Sequence, residues 1–207
     1  ACAVLAGGLL AESASTTVAA AWLPDLGKGT RRIAFAPFEP GARHDARVVA
    51  TSARRDGAIW HLDGAKALAL GGAGADAWLL LARCDAERLG LFLVEANTPG
   101  VQQQAHALYD GRQAASLQLQ GAAAQLLVDG TPAEMEVLVR PRLNPVLSDY
   151  LVKLTGITNE DVAAHGVDFV EAYRAFLKFT DGCTTMAFGT DDLIFVDNIR
   201  LYGLHGF

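Results

Sequence analysis

The chain has 207 residues, 51% of them hydrophobic, and a formal net charge of −6. That length admits one large domain or two small ones with a buried core. The charge is uneven. Up to Gly130 there are 11 Lys+Arg against 12 Asp+Glu, and from Thr131 onward 6 against 11. Neither half carries the cationic patch that phosphate-backbone binding needs, so a nucleic-acid role would have to rest on bound metal ions. No uninterrupted apolar run approaches the ~18 residues of a membrane span, so none is expected.

The opening "ACAVLAGGLLAESASTTVAAAWL" lacks the basic start and defined cleavage site of a secretory leader and predicts a buried or interfacial helix to about Trp22. Pro24, Gly27 and Gly29 then break the helical pattern. From Ile33 the texture changes to strand-length runs: "RRIAFAPF", "ARVVATSARR", "AIWHLDGAKALAL", "DAWLLLARC", "LGLFLVEA" and "AASLQLQG". Turn signals such as "EPGA", "RRDG", "GGAGAD", "NTPG" and "YDGR" fall between them. Several runs alternate apolar and polar residues, which predicts an antiparallel barrel or sandwich with one solvated face. Cys2, Cys84 and Cys183 are odd in number and far apart. That argues against a disulfide framework or zinc site and points to a reducing, cytoplasmic setting.

After about Val128 the rhythm differs. "MEVLVRP" reads as a strand closed by Pro141, and "SDYLVKLTG" as a helix capped by Ser148 and stopped by Gly156. "TNEDVAAHG" begins with Thr158 and carries Asp161 three residues on, a capping-box pattern. In "DFVEAYRAFLKFTDG", Phe169, Val170, Tyr173, Phe176 and Leu177 follow an amphipathic helical spacing. "CTTMAFG" reads as a strand and "DDLIFVDNIRLYGL" as a final helix. Together these predict an α/β layer. The expected class is therefore α+β: a helical lead-in over 1–31, an antiparallel β-barrel or sandwich over 32–128, and a partial α/β segment over 129–207.

The stretch "AFAPFEPGARHDARVVATSARRDGAIWHLDGAKALALGGAGADAWLLLARC" resembles the middle β-domain of acyl-CoA dehydrogenases. Glu39, Pro40, Gly41, Ala42 and Asp45 match that family's EPGAGSD turn. Leu62, Gly64, Lys66, Gly72, Ala75, Asp76, Ala82 and Arg83 match the strands that follow. The resemblance covers about 115 residues, roughly 14–128, and implies FAD as cofactor and an acyl-CoA as partner. It places Phe38, Leu68 and Leu70 at the flavin, where the family usually has Thr, Trp and Thr. Two hydroxyls that could hydrogen-bond the ring are thereby missing. Arg43 and His44 stand where the family touches acyl-CoA. The carboxylate that takes the substrate's α-proton lies, in the family, in a helical bundle for which no match follows Val128, so the catalytic residue is unknown. Glu39 and Glu95 read as a turn residue and a strand-end residue.

"VRP", "NPVLSDYLVKLTGIT", "FVEA" and "FGTDD" resemble DEDD-type 3′–5′ exonucleases of ribonuclease H-like fold. Such enzymes hold two divalent metals with four carboxylates. The resemblance makes Asp192 the second of these, a ligand for Mg or Mn, with Asp191 beside it as a helix cap. The first motif and the last are not found in the sequence. A natural fusion and a joining of fragments both remain open at Asp129–Glu136. Three functions follow: a flavin-dependent acyl-CoA dehydrogenase completed by another chain, a metal-dependent exonuclease acting on nucleic acid, or a catalytically silent structural or interaction module. The first names the ancestry best. A homo-oligomer is a further expectation, since the Ala- and Gly-rich first helix suits close packing.

Overall fold

The structure, a computed structural model, describes residues 2–43, 45, 47–181 and 191–204. It divides into two compact units, Ala1–Pro132 and Ala133–Phe207.

The first unit opens with two helices rather than one, α1 (Cys2–Ser13) and α2 (Thr16–Lys28). The break comes at Ser15, whose hydroxyl accepts from the Val18 amide and caps α2. The expected stop at Pro24 is not observed. The helix runs through it to Gly29, which closes α2 in the left-handed conformation at φ 73°. An interior proline removes one helical hydrogen bond. Here Trp22, Leu23 and Leu26 pack into the core around it, and the Arg31 guanidinium lies 3.2 Å from the Trp22 ring centroid.

Seven strands follow: β1 (Ile33–Ala36), β2 (Ser52–Asp56), β3 (Ile59–Leu70), β4 (Ala77–Arg83), β5 (Leu89–Glu95), β6 (Val101–Ala107) and β7 (Gln113–Gly130). They form one sheet in the order β1-β4-β2-β3-β7-β5, with β6 on β7 and a further β4–β5 ladder. The sheet is mixed, which corrects the all-antiparallel expectation. β1 runs parallel to β4, and β2 meets β4 in parallel through the single pair Ser52–Arg83. Some 40 residues separate β1 from β4 in sequence, including the β2–β3 hairpin, and a crossover of that length permits parallel pairing.

β4 explains how the core is arranged. Its run "AWLLLA" is apolar on both faces. Ala77 and Leu79 join Ala6, Leu10, Val18 and Trp22 under the two helices. Trp78, Leu80 and Ala82 point the other way, toward Leu62, Phe92, Leu117 and Leu119. The strand that the sequence did not reveal is β6, "VQQQAHA": most of its side chains are exposed, so it carries no alternation to read.

Among the described residues, the second unit contains helices α3 (Asp149–Thr155), α4 (Asn159–His165), α5 (Phe169–Phe179) and α6 (Asp191–Leu201). Ser148 and Gly156 bound α3 as read, and Thr158 and Asp161 form the expected reciprocal box on α4. The strand expected at 135–141 is reduced to one bridge, Val139 with Val167. Pro141 lacks the amide that would extend the pairing. The "CTTMAFG" run lies outside the described residues. The described part of this unit therefore holds no sheet, and a ribonuclease H-like arrangement is not shown. No described helix is long and apolar enough to cross a membrane.

Candidate functional site

β1 ends at Ala36, and Phe38–Gly41 then turn sharply, with Gly41 at φ 81° and the Ala42 amide donating to the Glu39 carbonyl at 3.1 Å. Glu39 is a buried anchor, 6% exposed, and not the plain turn residue expected. Its carboxylate accepts from the Ala50 amide (2.7 Å), the Thr51 amide (3.0 Å), the Thr51 hydroxyl (2.6 Å) and Lys66 Nζ (2.6 Å). Thr51 and Lys66 are both fully buried. One side chain thus ties the turn to the returning loop and to β3.

The geometry depends on Gly64. It sits at φ 149°, and a Cβ there would fall 2.7 Å from both Thr51 Cα and Thr51 Oγ1. Only a glycine lets β3 pass close enough for Lys66 to reach the carboxylate. Burial pushes the Glu39 carboxyl upward. The hydrogen bonds from Lys66, Thr51 and Ala50 outweigh it, so the group is held below its ordinary range. For Lys66, burial pulls the ammonium below its ordinary value, and the bond to Glu39 with its charge opposes that pull. A pair so enclosed is costly to break singly, because the remaining charge is left buried without its partner.

The lock brings together residues that the sequence holds about 30 positions apart. The Ala67 amide donates to the Phe38 carbonyl at 2.9 Å, and Phe38, Glu39, Pro40, Gly41, Arg43, Ala67 and Leu68 line a cleft of about 260 Å³. β3 is irregular here, with a register shift between Lys66 and Ala69. Among the described residues, the non-glycine residues at positive φ are Arg43 (48°) and Leu68 (50°). Both line this cleft. Left-handed backbone in such residues costs energy and clusters at functional sites.

Of the sequence-derived site residues, Phe38, Arg43 and Leu68 meet at the cleft. Leu70 ends β3 two residues further on; it and Leu68 are exposed, while Ala69 between them is buried. His44 lies outside the described residues. Asp192 lies in the first turn of α6, and its side chain lies outside them too. Among the described residues, no group of three or more His, Cys, Asp or Glu could hold a metal ion. Sequence reading missed Lys66 and Thr51 as site residues. The available signal was one lysine inside the otherwise apolar "AKALAL".

A flavin ring asks for an apolar face and, along one edge, partners for its carbonyl and imide groups. Phe38, Pro40, Ala67 and Leu68 supply such a face. The side chains do not fit the edge. Phe38, Leu68 and Leu70 have no hydrogen-bonding group, and the Glu39 carboxylate already accepts from Lys66, Thr51 and Ala50.

Comparison with known proteins agrees with the first resemblance. Residues 34–121 match the family description "Acyl-CoA dehydrogenase, middle domain". Acyl-CoA dehydrogenase FadE12 of Mycobacterium tuberculosis is 32% identical over 99 residues, 45% of this chain and 26% of that protein. The mitochondrial isobutyryl-CoA dehydrogenase of Dictyostelium discoideum is 33% identical over 84 residues, 39% of this chain and 20% of that protein. Among solved structures, a glutaryl-CoA dehydrogenase from Mycobacterium smegmatis in complex with FADH2 superimposes with TM-score 0.54 at 27% identity, over 57% of this chain and 31% of that one. The match thus spans about a quarter of these curated relatives and about a third of the solved structure. These matches lend no support to an exonuclease, to Mg or Mn, or to a nucleic-acid partner. Residues 34–121 resemble the middle domain of acyl-CoA dehydrogenases in sequence, within a mixed sheet that resembles theirs in fold.

Proposed function

We propose that residues 32–128 serve as a middle β-domain of acyl-CoA dehydrogenase type, and that its cleft forms one wall of an acyl-CoA site. The reaction of a protein built around such a wall is α,β-dehydrogenation of an acyl-CoA, in which the α-proton goes to a base and the β-hydride to an electron acceptor held outside this cleft. The observation that supports this best is the Glu39–Lys66 lock, which gathers Phe38, Arg43 and Leu68 at one cleft. Within that cleft Arg43 offers a cation to a phosphate or thioester ligand, and the apolar residues offer surface to the acyl group.

Glu39 is not the base of such a reaction. A base must have a lone pair aimed at the substrate's proton, and this carboxylate accepts four hydrogen bonds from within the fold. It is also held below the ordinary carboxylate range, which weakens it as a proton acceptor. The α-proton is therefore taken by a group outside the cleft, and this domain binds and orients. A cytoplasmic setting and a homo-oligomer belong to the same proposal.

Calorimetric titration of the full chain with butyryl-CoA, and with CoA alone, tests it. Saturable binding is expected, weakened about tenfold by Arg43→Ala, equivalent to about 1.4 kcal/mol. Absence of heat for both ligands at millimolar concentration would overturn the proposal.

A further inference from the structure

The second unit is acidic, with 6 Lys+Arg against 11 Asp+Glu from Thr131 onward. Yet a cleft of about 190 Å³ within it is lined by two of those cations, Arg140 and Arg142, and by no Asp or Glu. We propose that this cleft binds a small monocarboxylate with an aliphatic chain, the carboxylate on Arg142 and the chain against the leucines and aromatic rings beside it. The site lies in the second unit and stands independently of the acyl-CoA reading.

Its cationic side is held in place and left open. The Arg140 amide donates to the Val167 carbonyl at 2.8 Å, and its guanidinium donates to the Gly166 carbonyl at 2.6 Å. Together with the Val139–Val167 bridge, these bonds fix the backbone of the cleft wall. Arg142 lies over the Tyr202 ring, 5.4 Å from its centroid. That contact steadies the guanidinium without using its N–H groups. Among the described residues no hydrogen bond or ion pair occupies them. A planar fork of free donors matches the two oxygens of a carboxylate, and the Asn144 amide stands on the same cleft as a further donor.

The remaining wall is apolar. Phe169 is buried, and its ring lies 5.0 Å from that of Tyr202, so the two form a firm floor. Leu143 and Leu201 flank it, 70% and 44% exposed. An aliphatic chain would cover them, and each methylene buried raises affinity by about fourfold until the wall is covered. An amine meets two guanidinium groups and is repelled. Inorganic phosphate reaches the cations but leaves the leucines in water.

The test is an amide NMR titration of the full chain with sodium hexanoate, beside acetate, hexylammonium chloride and inorganic phosphate at matched ionic strength. Saturable shifts at Leu143, Asn144 and Tyr202 are expected with hexanoate, weaker binding with acetate, and none with hexylammonium. Arg142→Gln should weaken hexanoate by about tenfold. Leu143→Glu, at a position exposed enough to leave the fold undisturbed, should abolish binding by placing a carboxylate at the rim. Unchanged hexanoate affinity in either variant, with the α5 amide pattern intact, would overturn the proposal. Phosphate binding as tightly as hexanoate would replace the carboxylate with a plain anion site. Shifts confined to Arg43 and Leu68 would place hexanoate at the first unit's cleft instead, and absence of saturable shifts would remove the site.

Discussion

The two units differ in how they use polar chemistry. In Ala1–Pro132 a charged pair is sealed inside the protein, and the sheet carries apolar clusters on both faces. In the described part of Ala133–Phe207 the buried hydrophobic residues are Val162, Phe169, Ala172, Tyr173 and Ile199, and polar groups act chiefly at helix ends. α3 buries nothing, and Tyr150 is 71% exposed. The first unit is organised around a buried ion pair between residues far apart in sequence, whereas the second joins locally capped helices to a small aromatic cluster. A change at the centre of the first should therefore spread through a whole layer, whereas a change at a helix end in the second should stay local.

The largest separation is expected from Lys66→Met. It leaves the Glu39 carboxylate buried without its cation, and such breaks cost about 3–5 kcal/mol. Trp22, Trp60 and Trp78 all lie in the first unit, so tryptophan emission during urea unfolding reports that unit alone. Its midpoint should fall sharply. Combining Lys66→Met with Glu39→Gln should recover part of the loss, because the uncompensated charge is gone. An unchanged midpoint in Lys66→Met would mean the lock does not organise the unit. Acid should act on the same group. The folded carboxyl lies below its ordinary value of 4.5, so the stability it contributes is fully present above about that pH. It is lost as pH falls through the lower, folded value. Glu39→Gln should flatten this acid limb in the tryptophan signal.

Phe169→Ala is the counterpart in the second unit. The Phe169 ring lies 5.0 Å from that of Tyr202 and 6.0 Å from that of Phe195, at the centre of a small aromatic cluster. Its loss should cost about 3 kcal/mol. Amide exchange in α5 and α6 should accelerate while the tryptophan midpoint holds. A shift of that midpoint would show that the units unfold together.

The same contrast governs what the sequence revealed. Ser148, Gly156, Thr158 and Asp161 were legible because a cap is made with a neighbour one to four residues away. The runs that became β1–β5 and β7 were legible because strand-length stretches stand out between turns. Glu39 was not. Its partners lie 11, 12 and 27 positions away, and a glutamate before Pro-Gly has the pattern of an exposed turn. The parallel placement of β1 beside β4 was hidden for the same reason: it is a decision of topology, which no local period records. Phe38 and Leu68 were readable as departures from a family pattern, but the bulge that turns Leu68 outward and the strain it bears were visible only in the backbone.

The smallest effect sharpens the comparison from the local side. The Thr158 hydroxyl accepts from the Asp161 amide at 3.0 Å, while Asp161 accepts from the Thr158 amide at 2.9 Å. Thr158→Ala removes the hydroxyl and keeps the carboxylate, so about 1 kcal/mol of helix stability should go. α4 has only 7 residues, too few to stand without tertiary support. Amide exchange should therefore quicken through Val162 to His165 while α5 stays protected. If protection in α5 falls with it, α4 and α5 form one cooperative piece. Because Val162 is the buried residue of α4, Val162→Ala should then produce the same joint loss with the cap intact, which tells packing from capping as the link.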